Sequence, residues 1–241
     1  MQVQEYLDAL ARDSEMLADA ADAAGPDAPV PTCPGWTVAD LIVHMVQGNR
    51  WARIIVESRS TERVMPEMPD DAPAGAALVP YFRSDAQELI ATLAAVPPDT
   101  SVWTFSAADR TAGFWSRRRA QETAVHRVDA ESAAGTRHPV DQALAADGID
   151  EFLTAFLPRL AGGVVLDGSV HVHCTDVEGE WLVRRDGDGL VVTREHAKGD
   201  VAARGTASDL LLFLWGRVPA SALEVFGDAD ALDRFRESIR V

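Results

Sequence analysis

The stretch TVADLIVHMVQGNRWARIIVES, residues 37–58, decides how the chain is read. Thr37 is followed three residues later by Asp40, a capping-box-like pair in which the Thr hydroxyl accepts an N–H that a helix leaves unpaired at its start. From there Leu41, His44, Gly48, Trp51 and Ile55 recur at the spacing of one helix face. The spacing predicts a helix from Val38 to about Ser58 with that face turned inward. An inward imidazole needs a partner. A backbone carbonyl would satisfy it, and so would a metal ion.

Helices are predicted on both sides of this one. Val3, Tyr6, Leu7, Leu10, Ser14, Leu17 and Ala21 repeat at helical spacing until Gly25-Pro26 stops the pattern. Downstream, a loop over 65–80 rich in Pro, Met and Asp precedes an amphipathic helix over 82–96, with Leu89, Ile90 and Leu93 on its buried side and Pro97-Pro98 at its end. A fourth helix is predicted from 114 or 115 to 134, with Gly135 as a left-handed cap. Four helices make a bundle. Beyond Asp141 the character changes to one helix as far as Leu160, then short alternating segments over 169–176, 180–185 and 190–194, separated by Gly-Asp turn signals. These predict an antiparallel sheet. Thr206 and Asp209 form a second capping pair before the apolar run 210–215, and 229–239 supplies a last helix. The expected fold class is α+β, with a helical bundle over 1–140 and a smaller α/β domain over 141–241.

Composition narrows the function classes. With 47% hydrophobic and 25% charged residues in 241, the chain has enough apolar material for a packed core. A net charge of -16 opposes a phosphate backbone, so nucleic acid is not an expected partner. No run approaches the ~18 apolar residues of a membrane span. The first residues are acidic and lack the basic start and apolar block of a secretory signal, so no membrane association and a cytoplasmic location are expected. Cys33 and Cys174 lie far apart, which suggests neither a disulfide framework nor a CxxC site. No heptad seam is evident, and a monomer or weak homodimer is expected.

Glu122 and His126 are four residues apart on the fourth predicted helix, so both side chains point the same way and are able to grip one ion. An exposed i,i+4 pair is the plain alternative. His171 and His173 alternate with Val170, Val172 and Cys174, which puts both on one strand face. That placement would suit a second metal site, but a half-exposed polar face is the simpler reading, since no third ligand is evident nearby in sequence. Cys33 reads as loop packing, and Arg117, Arg118 and Arg119 as partners of nearby acidic residues.

The segments TCPGWTVADLIVHM (32–45) and ETAVHRVD (122–129) resemble the mycothiol-dependent maleylpyruvate isomerase family. HVHCTD (171–176), GEW (179–181), LWGR (214–217) and FGD (226–228) resemble the C-terminal domain of the same family, so the resemblance covers nearly the whole chain. It implies that the N-terminal half is a DinB-like four-helix bundle, and that His44, Glu122 and His126 hold a divalent metal ion. Zinc is the expected ion, with nickel or iron as alternatives. Three protein ligands leave a fourth position open. The resemblance implies that mycothiol occupies it as a thiolate, adds to a conjugated cis double bond, allows rotation, and leaves again with the trans isomer formed. The partners it implies are thus a small-molecule thiol and an electrophilic substrate, and an actinobacterial source would suit them. A thiol S-transferase is the related reaction, and a non-catalytic metal- and small-molecule-binding module is the alternative from another class. Arg217, after an apolar helix, is the candidate to contact a carboxylate or sugar of the thiol, as a catalytic or cofactor-binding residue, against the alternative of balancing a helix dipole. Relatives often carry His before the ligand Glu, where this chain has Gln121. Asp129, one turn after His126, is able to orient that histidine's second nitrogen, or else faces solvent.

Overall fold

The computed structural model describes residues 1–65 and 72–239. Its contacts divide the chain into two compact units, Met1–His138 and Pro139–Val241. The first holds four long helices: α1 (Val3–Ala24), α2 (Val38–Ser58), α3 (Leu78–Ala95) and α4 (Ala112–Ala133). α1 packs most extensively on α4, and α2 on α3. Leu17, Leu41, Ile42, Met45 and Phe82 are fully buried at the centre of one shared core.

The ends of these helices follow local chemistry. The Thr37 and Asp40 side chains each bond the other's backbone N–H, at 3.3 and 2.8 Å, closing the capping box. Gly25 ends α1 with φ of 84° and donates to the Ala21 carbonyl, and Gly135 follows α4 with φ of 72°. Both conformations are costly for a residue with a Cβ. α3 starts earlier than the spacing predicts. Pro80 was expected in a loop, yet it lies in the first helical turn, where its missing N–H would have had no partner anyway. The part of that expected loop over 66–71 lies outside the described residues.

The second unit opens with α5 (Gln142–Glu151), a π-helical turn over Phe152–Phe156, and α6 (Leu157–Leu160). One uninterrupted helix was expected here. Pro158 lacks an N–H and its ring crowds the carbonyl four residues back, which accounts for the widened turn just before it. The sheet has five strands in the order β3-β2-β1-β4-β5: β1 (Ser169–Cys174), β2 (Glu180–Asp186), β3 (Gly189–Thr193), β4 (Val201–Gly205) and β5 (Glu224–Phe226). β1 pairs antiparallel with β2 and parallel with β4, so the sheet is mostly antiparallel rather than wholly so. β4 and β5 were not foreseen, because the stretch Val201–Gly205 carries two alanines, an arginine and a glycine in place of strong β-formers. α7 (Ala207–Leu214) is capped by the Thr206 hydroxyl, which accepts from Asp209 N–H at 3.1 Å, and α8 (Ala229–Ser238) completes the unit.

α4 buries charge as well as hydrocarbon. Arg127 is 1% exposed; its guanidinium donates to Asp13 on α1 at 3.2 Å, to Glu131 at 2.9 Å and to the His138 carbonyl at 2.9 Å. One cation thus ties two helices to the segment leaving the bundle. Replacing Arg127 by Leu removes the central cation from two buried carboxylates, leaving Asp13 with Arg12 and Glu131 with His138, and the expected loss is about 3 kcal/mol of unfolding free energy. Urea denaturation of the full chain reads that loss as a lowered midpoint at unchanged slope.

Candidate metal centre

α2 and α4 bring His44, Glu122 and His126 together, with one potential ligand atom of each within 4.8 Å of the others. His44 Nε2 lies 3.2 Å from Glu122 Oε1. The two imidazole rings stand edge to face, with centroids 5.0 Å apart. Glu122 and His126 share a direction because one helical turn separates them. His44 does not sit on the inward face that its spacing suggested. The buried stripe of α2 runs through Leu41, Ile42, Met45, Asn49, Ala52 and Ile55, leaving His44 on its shoulder with 38% of the side chain exposed. It borders a cleft of about 450 Å³ lined also by Gly35, Trp36, Ala39, Val43 and Gln47. A ligand in that position is reachable from solvent, whereas one in the stripe would not be.

The second nitrogen of His126 is already committed. Its Nδ1 lies 2.8 Å from Asp129 Oδ2, and Asp129 has no solvent exposure. With a carboxylate at Nδ1, the proton belongs there and Nε2 keeps its lone pair, the arrangement that supports a metal-ligating imidazole. The same carboxylate accepts the Thr32 hydroxyl at 2.6 Å and the Cys33 thiol at 3.4 Å. Thr32 and Cys33 stand at the head of the TCPGW stretch, so Asp129 anchors the connection before α2 to the helix that carries two of the ligands. Trp36, in the same stretch, lies near-parallel to the His126 ring at 6.4 Å and tilted against His44 at 5.0 Å, closing one side of the site with hydrocarbon.

Glu122 is fixed from the opposite side. Arg119 donates to its Oε2 at 2.5 Å while Oε1 faces His44. Arg119 is itself 1% exposed and donates to Asn49 Oδ1 at 2.8 Å; Asn49 donates in turn to Asp85 at 2.8 Å. A line of hydrogen bonds therefore crosses the bundle from α4 through α2 to α3. Gly48 makes the crossing possible, since a Cβ there would overlap the Arg119 guanidinium. A glycine inside an otherwise regular helix marks such a close approach, and it was the available sign of Arg119's role.

These contacts set the protonation states. Burial alone would raise the Glu122 pKa; Arg119, a hydrogen bond from His44 and Arg118 outweigh it and hold the carboxyl well below the ordinary carboxylate range. Burial pushes the His126 imidazole down against the pull of Asp129. At neutral pH the pair is an ionised carboxylate and a neutral imidazole, the forms in which both ligate metals. Two imidazoles and one carboxylate converging from two rigid helices fit a divalent ion of the zinc, nickel or ferrous type. Gln121 is 1% exposed on α4. Arg217 lies in the other compact unit, where its guanidinium donates to the Trp215 carbonyl at 2.7 Å.

Two family models match the chain: the mycothiol maleylpyruvate isomerase N-terminal domain over residues 7–131, and the corresponding C-terminal domain over 143–234. Among solved structures, the crystal structure of a mycothiol-dependent maleylpyruvate isomerase superposes with a TM-score of 0.56 at 16% identity, covering 93% of each chain. A histidine-to-alanine mutant of a mycothiol-dependent maleylpyruvate isomerase gives 0.55 at 14% identity with the same coverage. At such identities the likeness is one of fold. No curated protein matches the sequence. With the first model spanning just over half of the 241 residues and the second most of the remainder, the chain belongs to the mycothiol maleylpyruvate isomerase family.

Proposed function

We propose that the protein is a metal- and mycothiol-dependent enzyme that acts on a small electrophile, either isomerising a conjugated cis acid of the maleylpyruvate type or transferring the thiol. The observation that carries this reading is the convergence of His44, Glu122 and His126 beside an open cleft, with the remaining polar atoms of Glu122 and His126 held by other residues. When bound there by three protein ligands, a divalent ion, zinc on this reading, offers an open position at which a thiol is held as its thiolate and so made nucleophilic at neutral pH.

The chain's own residues supply the rest. Asp129 holds the proton on His126 Nδ1 and keeps Nε2 free to ligate. Arg119 keeps Glu122 ionised and turns Oε1 toward His44. Trp36 packs against both imidazoles and also lines the cleft beside His44, through which a thiol and its substrate would approach. Arg217 is proposed to recognise a carboxylate or sugar of the thiol, a task suited to the planar guanidinium fork.

Elemental analysis of the purified chain is the primary test. His44→Ala and Glu122→Ala are each expected to remove about one equivalent of bound divalent metal and to abolish turnover of maleylpyruvate with mycothiol. Retention of the metal by both variants would sink the assignment, and stoichiometric binding without turnover would leave a binding module instead. Asp129→Asn keeps the shape but loses the anion, and should weaken metal affinity by about 10–100-fold, measured by competition with a chromophoric chelator. Arg217→Ala is expected to raise KM for the thiol while metal content stays at the parent level; an unchanged KM would withdraw its role.

A further inference from the structure

His171 and His173 lie close to two further potential ligands that sequence spacing did not reveal, Glu180 and His196. Glu180 lies directly opposite His173 across the β1–β2 ladder, and alternation along β1 puts His171 on the same face. His173 Nδ1 is 3.1 Å from Glu180 Oε1, and His171 Nε2 is 3.2 Å from Oε2. His196, from the connection between β3 and β4, reaches the same carboxylate with Nδ1 at 2.5 Å. All four potential ligand atoms lie within 4.8 Å of one another.

The connection that carries His196 is built to present it. At one end Arg194 forks onto Asp150 of α5, with contacts of 2.5 and 2.9 Å. At the other, Asp200 accepts from the Ser169 N–H at 2.8 Å and from its hydroxyl at 2.7 Å. Between these pins the backbone passes so close to β1 that a Cβ at Gly199 would sit 2.9 Å from His171 N and 3.0 Å from its Cβ. Only glycine lets the segment lie flat against the strand.

The three imidazoles do not stack. Their centroids are 5.8 to 6.3 Å apart and each pair is steeply tilted, between 69° and 87°. Imidazoles bound to one tetrahedral ion place their ring centres about 5 Å apart, and adjacent ligand atoms about 3.3 Å apart. The histidine-to-glutamate distances at His171 and His173 are close to that edge, although they run to different oxygens of Glu180, and His196 stands nearer at 2.5 Å, so closing the shell takes a small turn of the carboxylate and ring shifts of roughly an ångström. Exposure grades from His171, 8% at the side chain, to His196 at 82%, so the ion has an entry side.

We propose that His171, His173, Glu180 and His196 form a second, closed site for a divalent transition ion of the zinc class, which fastens the β3–β4 connection to the sheet. Three imidazoles and a carboxylate fill a tetrahedral shell, leaving no position for substrate, so the role is structural and separate from the bundle's candidate centre.

Cobalt(II) provides the probe, because tetrahedral coordination gives it an intense visible spectrum. A His44→Ala/Glu122→Ala variant, checked for folding by circular dichroism, is expected to take up about one equivalent of Co²⁺ with tetrahedral absorption and a raised Tm. Adding His173→Gln and His196→Gln, both at exposed or half-exposed positions, should abolish the absorption and the Tm shift. In the otherwise unaltered chain the same two substitutions should lower total bound metal by one equivalent, so the result does not depend on the bundle variant folding. No uptake by the bundle variant, or uptake that survives His173→Gln/His196→Gln, overturns the proposal.

Discussion

A carboxylate with no access to water must have its lone pairs filled by the protein, and at Asp129 the donors that fill them shape the first unit. The Thr32 hydroxyl, the Cys33 thiol and the His126 imidazole all converge on it. The segment leading into α2 and the orientation of the His126 ring are thereby fixed by one anion. Removing it would leave three groups to find partners separately, and no other buried acid stands in the same place.

α4 is unusual in being buried nearly all round while carrying Arg118, Arg119, Arg127, Asp129 and Glu131 on its buried surface. Burial of ions is costly unless each is paired and its remaining donors satisfied. The chain meets that condition in three constellations: Arg118 and Arg119 with Glu122 and Asn49, Arg127 with Asp13 and Glu131, and Asp129 with Thr32, Cys33 and His126. The first holds a candidate ligand in place; the second joins helices. Their different partners explain why similar side chains on one helix have different consequences.

Much of the fold was legible because its punctuation is local. Thr37 with Asp40, Thr206 with Asp209, Gly25 and Gly135 each act through bonds or dihedrals within a few residues, and each is found where its sequence context placed it. Pro80 and Pro158 were harder, since proline stops a helix, starts one or widens a turn according to the donors around it. The parallel pairing of β4 with β1 depends on long-range register that a weak five-residue segment does not advertise. At the candidate centre, the type of each ligand was readable through resemblance, while the supports were not: the crossing of Arg119 depends on how two helices approach. The cluster on the sheet was half visible, because strand alternation pairs His171 with His173 but nothing local links either to His196.

Gly48 carries a lesson for anyone redesigning this chain. Interior helix glycines cost about 1 kcal/mol relative to alanine, and replacing them is a standard route to a more heat-resistant protein. Here the empty space is already occupied by the guanidinium of another helix. A methyl group added for rigidity would displace the cation that orients Glu122, trading a sturdier helix for a less well-made candidate centre. Stabilising changes are better sought on the exposed surfaces of α1 and α3, where no such guest is lodged.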